Sequence, residues 1–144
     1  LGGSGVEKER ILTGHQAPIA ALAVSDKVFY TADTDGVIVQ WSSDTVFPIQ
    51  RLVPPHDKPG MQKVHGTCLA WSHDNSVVAS GGADDSIYLW SLAKKTKRVH
   101  YPFCHRGGVT GLEFLENEWR LLSVGVDACV NQWDLMDTVA KKFG

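Results

Sequence analysis

The sequence predicts an all-β protein made of three consecutive four-stranded antiparallel units, the blades of an incomplete β-propeller. Two observations carry the prediction. The first is a recurring phrase. Trp41, Trp90 and Trp133 stand 49 and 43 residues apart. Each follows an Asp by six positions (Asp35, Asp84, Asp127) and a hydroxyl by ten (Thr31, Ser80, Ser123). A three-point pattern repeated at a period near 45 marks a repeat architecture, and a copy closing on Trp133-Asp134 marks a propeller blade. The second observation is the texture between these points. Short runs alternate apolar or β-branched residues with small or polar ones, the period of half-buried strands.

The elements follow in order. Residues 1–13 open with LGGSG, which reads as a linker remnant, and Lys8–Thr13 reads as the outer strand of a preceding blade. Blade 1 covers 14–53, with strands expected over Ile19–Ser25, Lys27–Ala32 and Gly36–Ser42 and an outer strand over Phe47–Val53. Ser25-Asp26 and Asp35-Gly36 are turn signals. Residues 54–65 form a long inter-blade loop inside a segment with three prolines, VPPHDKPGMQKVHG. Blade 2 covers 66–103, with a turn at Asp74-Asn75 and an outer strand over Arg98–Phe103. Blade 3 covers 104–144, with a turn at Asn117-Glu118 and an outer strand over Thr138–Phe143. The outer strands are the more polar, as solvent-facing edges should be. His15 and His105 lie seven residues before Leu22 and Leu112. At the same offset from Leu69 stands Gln62, so the second copy lacks the histidine.

These motifs resemble the WD-repeat β-propeller family. The Gly14-His15 opening, the Asp in the turn and the closing Trp-Asp extend the likeness from Gly14 to Leu135. The resemblance implies that the loop His donates to the turn Asp, and that the strand hydroxyl and the Trp indole complete a buried network. Its members would be His15, Thr31, Asp35 and Trp41 in blade 1, and His105, Ser123, Asp127 and Trp133 in blade 3. Ser80, Asp84 and Trp90 would form a weaker version in blade 2. The phrase TCLAWSHDNSVVASGGADDSIYLWSL over 67–92, with His105 and the Val109–Leu135 copy, is similar to the last two blades of the actin-interacting branch of that family. That branch promotes filament disassembly together with cofilin. The resemblance therefore implies an interaction scaffold with actin and cofilin as protein partners, in the cytoplasm and on the cytoskeleton.

His15–Thr31–Asp35 and His105–Ser123–Asp127 hold the ingredients of a hydrolytic triad. Catalytic sites are not stamped out once per repeat, so the structural reading prevails and no catalytic residue is assigned. Buried carboxylates need donors and buried indoles need acceptors, which the same residues supply to one another. His56 and His65, with Asp57 nearby, find no third ligand at a metal-type spacing, so neither metal nor cofactor is expected. Net charge of −2 implies no basic face for nucleic acid. No apolar run approaches a membrane span. Three cysteines without metal spacing, with Cys68 and Cys129 placed in inner strands as small buried groups, fit a reducing compartment. The run Lys94, Lys95, Lys97, Arg98 reads as a solvated turn and edge protection, with a patch for an acidic partner or phosphoinositide as the sharper alternative. Candidate partner contacts are Pro54, His56, Lys58 and Met61 in the long loop, and Trp119 at a turn. A propeller-based enzyme, or a scaffold subunit in ubiquitin ligation, ribosome assembly or trafficking, is the alternative reading. Three blades do not close a ring. Apolar faces carrying Leu22, Val24, Ile38, Leu112, Phe114 and Val130 should await further blades from a longer chain, or other copies of this one.

Overall fold

The computed structural model describes Glu7 and residues 10–25, 27–45, 47–52, 66–94 and 98–144. β1 Ile19–Ser25, β2 Val28–Asp33, β3 Ile38–Ser42 and β4 Pro48–Leu52 form one sheet in chain order. β5 Gly66–Trp71, β6 Val77–Gly82, β7 Ile87–Ser91 and β8 Arg98–Tyr101 form a second in the same order. β9 Val109–Phe114, β10 Arg120–Gly125 and β11 Val130–Asp134 form a third, which stops at three strands. All pairings are antiparallel, and the register repeats. Trp41 lies opposite Phe29, Trp90 opposite Val78 and Trp133 opposite Leu121. The turn before each of these Trp strands holds one residue in the left-handed region: Gly36, Asp85 and Ala128, at φ 81, 69 and 65°.

The sheets stack face to face, with β1, β5 and β9 neighbouring one another in sequence order. Period-2 alternation gives the middle sheet two apolar faces. Leu69, Val78, Tyr88 and Trp90 pack with Tyr30, Ala32, Ile38 and Leu52 of the first sheet. Cys68, Ala70, Val77, Ala79, Ile87 and Leu89 pack with Val109, Leu112, Phe114 and Leu121 of the third. Gly81 sits in this second seam. A Cβ there would come within 2.7 Å of Val109, so only glycine allows the approach. Every residue of β6 and β7 is buried, whereas β11 alternates exposed and half-buried positions.

This stacking corrects the expectation for the end faces. Leu22, Val24 and Val130 are 63, 67 and 69% exposed, but Ile38, Leu112 and Phe114 are buried. The physical reason is translation along the stack. Leu22, Leu69 and Leu112 are equivalent and all face backward, so only Leu22, in the first sheet, lacks a covering neighbour. Ile38, Ile87 and Val130 are equivalent and all face forward, so only Val130, in the last, lacks one.

Three further expectations are corrected. Thr138–Phe143 is not an outer strand. The helix α1 Met136–Lys142 occupies this segment instead. Its sequence explains the outcome, with Met, Ala and Lys as helix formers, Asp137 in the first turn and Lys141 and Lys142 in the last. Val139 and Phe143 pack beside the second seam, and the Tyr101 hydroxyl donates to Thr138 Oγ1 at 2.6 Å. Residues 10–13 carry no strand, and residues 8 and 9 lie outside the described set. A strand needs a partner ladder, and each described sheet begins its pairing elsewhere. Finally, Cys129 is exposed in the turn before β11, while Cys68 is buried in β5 as expected of a small apolar group.

Candidate functional site: the interlocked blade turns

The third sheet shows the arrangement most fully. His105 enters from the loop before β9 and is 1% exposed, as is Ser123 in β10. His105 Nδ1 lies 2.9 Å from Asp127 Oδ1, and Nε2 lies 2.7 Å from Ser123 Oγ. The Trp133 indole N–H donates to the same Ser123 Oγ at 2.8 Å. A carboxylate only accepts, so the ring proton belongs on Nδ1. Nε2 then accepts from the Ser123 hydroxyl, and the bonds run in one direction, Trp133 to Ser123 to His105 to Asp127. Asp127 also accepts the backbone N–H groups of Arg106 at 3.3 Å and Cys129 at 3.2 Å. The His105 hydrogen bond, followed by these backbone donors, holds the Asp127 carboxyl below its ordinary range. Gly125 makes the ring's place. A Cβ there would stand 2.5 Å from the imidazole.

The first sheet builds the same lock with a different acid. His15 Nδ1 bonds Asp33 Oδ2 at 2.8 Å, not Asp35, which corrects the expected partner. His15 Nε2 is 2.5 Å from Thr31 Oγ1, which accepts the Trp41 indole N–H at 2.8 Å. Thr31 and Asp33 are two residues apart on one strand, so their side chains share a face. Asp33 is 2% exposed and its Oδ1 accepts the N–H groups of Asp35 at 2.9 Å and Val37 at 3.1 Å. Asp35 is exposed in the turn. Asp33 occupies the place that Gly125 holds in the third sheet, so the acid has moved two residues inward.

The second sheet uses a phenol. Trp90 Nε1–H donates to Ser80 Oγ at 3.0 Å, but Asp84 Oδ2 accepts from the Tyr88 hydroxyl at 2.8 Å. Tyr88 lies opposite Ser80, where the first and third sheets have Val39 and Asn131 opposite Thr31 and Ser123. Burial, and then the Asp84 carboxylate, push the Tyr88 hydroxyl up to about 12. Its ring stacks on His100 at 4.6 Å, and Arg98 sits 5.0 Å over it and 5.4 Å over Trp90. His100 Nε2 bonds Ser86 Oγ at 2.8 Å. Sequence reasoning passed over Tyr88 and His100, which belong to no repeated phrase, and read Arg98 as part of a solvated turn, whereas it is half-buried in β8 with its charge held over two rings. The spacing of these residues along alternate strand positions was the available signal.

Of the candidate partner contacts, Pro54, His56, Lys58 and Met61 lie outside the described residues, as does His65. Trp119 is half-buried in the β9–β10 turn, edge-on to His73 at 5.1 Å and to Phe114 at 6.3 Å. A groove of about 560 Å³ runs past His73 and Asn117, and a hollow of about 340 Å³ adjoins it at Trp119. Among the described residues no cluster of three His, Cys, Asp or Glu side chains could hold a metal ion, and no helix is long and apolar enough to cross a membrane.

Comparisons with known proteins fall on the same architecture. The family model "WD domain, G-beta repeat" matches residues 54–91. WD repeat-containing protein 1 of Gallus gallus is 39% identical over 121 residues, covering 83% of this chain and 19% of that protein. Actin-interacting protein 1-2 of Arabidopsis thaliana is 28% identical over 136 residues, covering 92% of this chain and 21% of that protein. U3 snoRNP-associated protein-like YAOH of Oryza sativa is 33% identical over 118 residues, covering 73% and 23%. The crystal structure of the RRP9 WD40 repeats superposes with a TM-score of 0.76 at 29% identity, over 89% of this chain and 38% of that one. The chain thus spans about a fifth of the length of the curated relatives it matches.

Proposed function

We propose that this chain, which belongs to the WD-repeat β-propeller family, is a non-catalytic portion of a protein-interaction scaffold. One observation carries the non-catalytic reading. The Trp133–Ser123–His105–Asp127 series reproduces the bonding order of a nucleophilic triad, yet Ser123 is 1% exposed and its oxygen already accepts the indole N–H. A nucleophile needs an approach path, and this buried serine has none. The series and its counterpart in the first sheet instead tie the loops before β9 and β1 to turns two strands away, which sets those loops as a contact surface.

The partners this reading assigns are actin and cofilin. It is supported by the likeness to WD repeat-containing protein 1 and to an actin-interacting protein, and it places the protein in the cytoplasm on the cytoskeleton. The exposed Leu22, Val24 and Val130 support the parallel proposal that further blades cover both ends. In a filament co-sedimentation assay, the intact protein should pellet with cofilin-decorated actin more than with bare actin. Equal absence from both pellets would remove the actin assignment.

A second reading, a scaffold within a U3 snoRNP, is favoured by the similarity to a U3 snoRNP-associated protein and by the structural match to RRP9. Affinity purification followed by probing for U3 RNA separates the two. Recovery of U3 RNA, with no actin, would establish the second.

A further inference from the structure

We infer that the rim joining the second and third sheets, at the end carrying the β5–β6 and β9–β10 turns, docks an extended lysine- or arginine-bearing segment of a partner protein. The inference rests on the scaffold reading and names the kind of partner this rim fits. Its floor is mixed, with aromatic side chains set among polar ones. Leu69, Trp71, His73 and Phe114 line the larger groove, and Trp119 lines the adjoining hollow. His73 and Asn117 line both, so the two are continuous. Leu22 and Val24 also border the groove, but a preceding blade would cover them, and the contact residues are those of the second and third sheets.

Charge selects the occupant. The fully charged side chains lining the groove are Glu113 and Glu116, both exposed, with no Lys or Arg among the lining residues. In the hollow, Arg120 lies 3.8 Å from Glu118, so that pair is balanced and Asp134 remains as a further acid. The uncompensated charge along the rim is therefore negative. An aromatic floor with carboxylate lips suits a cation on an apolar stem. The methylenes cover the floor, the charged head meets the carboxylates, and the ring faces add cation–π attraction. The chain already makes this contact once internally, where Arg98 lies over Tyr88 and Trp90. The same lips repel phosphate, so this rim disfavours a nucleic-acid strand.

The test uses the intact protein and three fluorescein-labelled probes: a dodecapeptide of alternating lysine and alanine, its glutamate counterpart, and an oligouridylate of the same length. Fluorescence anisotropy at low salt should show binding of the lysine peptide alone, weakening as salt rises. The double variant E113Q/E116Q should weaken it about fivefold or more. Both residues are exposed, so its melting temperature should match the wild type. Trp119→Leu should weaken binding as well, at a melting temperature measured in parallel. Absent binding of the lysine peptide, undiminished binding by E113Q/E116Q, or preferential binding of the oligouridylate would each overturn the inference. A protein that co-sediments with filaments yet ignores the lysine peptide would leave the scaffold reading standing and remove this one.

Discussion

The middle sheet and the third sheet solve one problem in different ways. Both must fix a turn Asp against the strand that carries the hydroxyl. The third sheet uses a histidine from the preceding loop, so its lock reaches across the blade from loop to turn. The middle sheet uses Tyr88, four residues from Asp84 on the adjoining strand, so its lock is local. The middle sheet can depend on packing, because apolar neighbours cover both of its faces. The third has one covered face and leans on its polar series. Removing apolar contact should therefore damage the middle sheet most, and removing a polar partner should damage the histidine-locked sheets most.

The largest expected effect tests the packing side. Leu89 is wholly buried in the second seam. Leu89→Ala should cost about 2–5 kcal/mol in denaturant melts, through lost burial and the cavity left behind. Val130→Ala, on the open face, should stay within about 0.5 kcal/mol. Comparable losses for the two would break the comparison. Next comes Gly125→Ala. The added methyl would press on the His105 ring and force the loop outward, costing roughly 1–3 kcal/mol. Asp33→Ala should follow, at about 1–3 kcal/mol, because it strands the His15 ring and two turn N–H groups. Asp35→Ala should cost clearly less. If Asp35→Ala were the more damaging, the assignment of Asp33 to the lock would be wrong.

Acid should sharpen the contrast between the sheets. The folded protein holds the Asp127 carboxyl below its ordinary value, chiefly through His105. A depressed folded pKa contributes stability above the unfolded value, and that stability is lost as pH falls through the folded one. Melting temperature should therefore decline on descending through and below the usual carboxylate range. Asp127→Asn should flatten part of that decline. A pH profile identical in the wild type and Asp127→Asn would contradict it.

The fold was legible because its signals repeat. Three copies of one spacing outweigh the ambiguity of any single short strand, and β1 falls on the expected residues. The indole-to-hydroxyl bonds were legible for the same reason, since Trp41, Trp90 and Trp133 reach Thr31, Ser80 and Ser123 at one fixed offset. What escaped was whatever broke the repeat. Asp33 was hidden because the counting assigned the acid role to Asp35, two residues on. Tyr88 was hidden because it belongs to one copy. The helix at Met136–Lys142 was hidden because the repeat demanded a strand, while its local propensity favoured a helix. Repetition reports the average blade, and each departure is decided by neighbours that only the folded stack brings together.

The smallest expected effect lies in the turns and isolates backbone from side chain. Gly36, Asp85 and Ala128 are register-equivalent, and all three are left-handed. Glycine adopts that conformation without steric cost, and aspartate tolerates it through local hydrogen bonding. Alanine has neither advantage, so Ala128 at φ 65° carries strain that the first sheet avoids. Ala128→Gly removes that strain but frees the unfolded chain, and the two terms oppose each other. The strain is the larger where φ is positive, so the variant should gain a fraction of a kcal/mol, on the order of 0.5. The reciprocal change, Gly36→Ala, should lose at least as much, because Gly36 is buried whereas Ala128 is exposed. Paired urea melts of the two variants provide the check. A loss on Ala128→Gly would show that the third turn is held by its side chains, Asp127 above all, and that its backbone strain is already relieved within the lock.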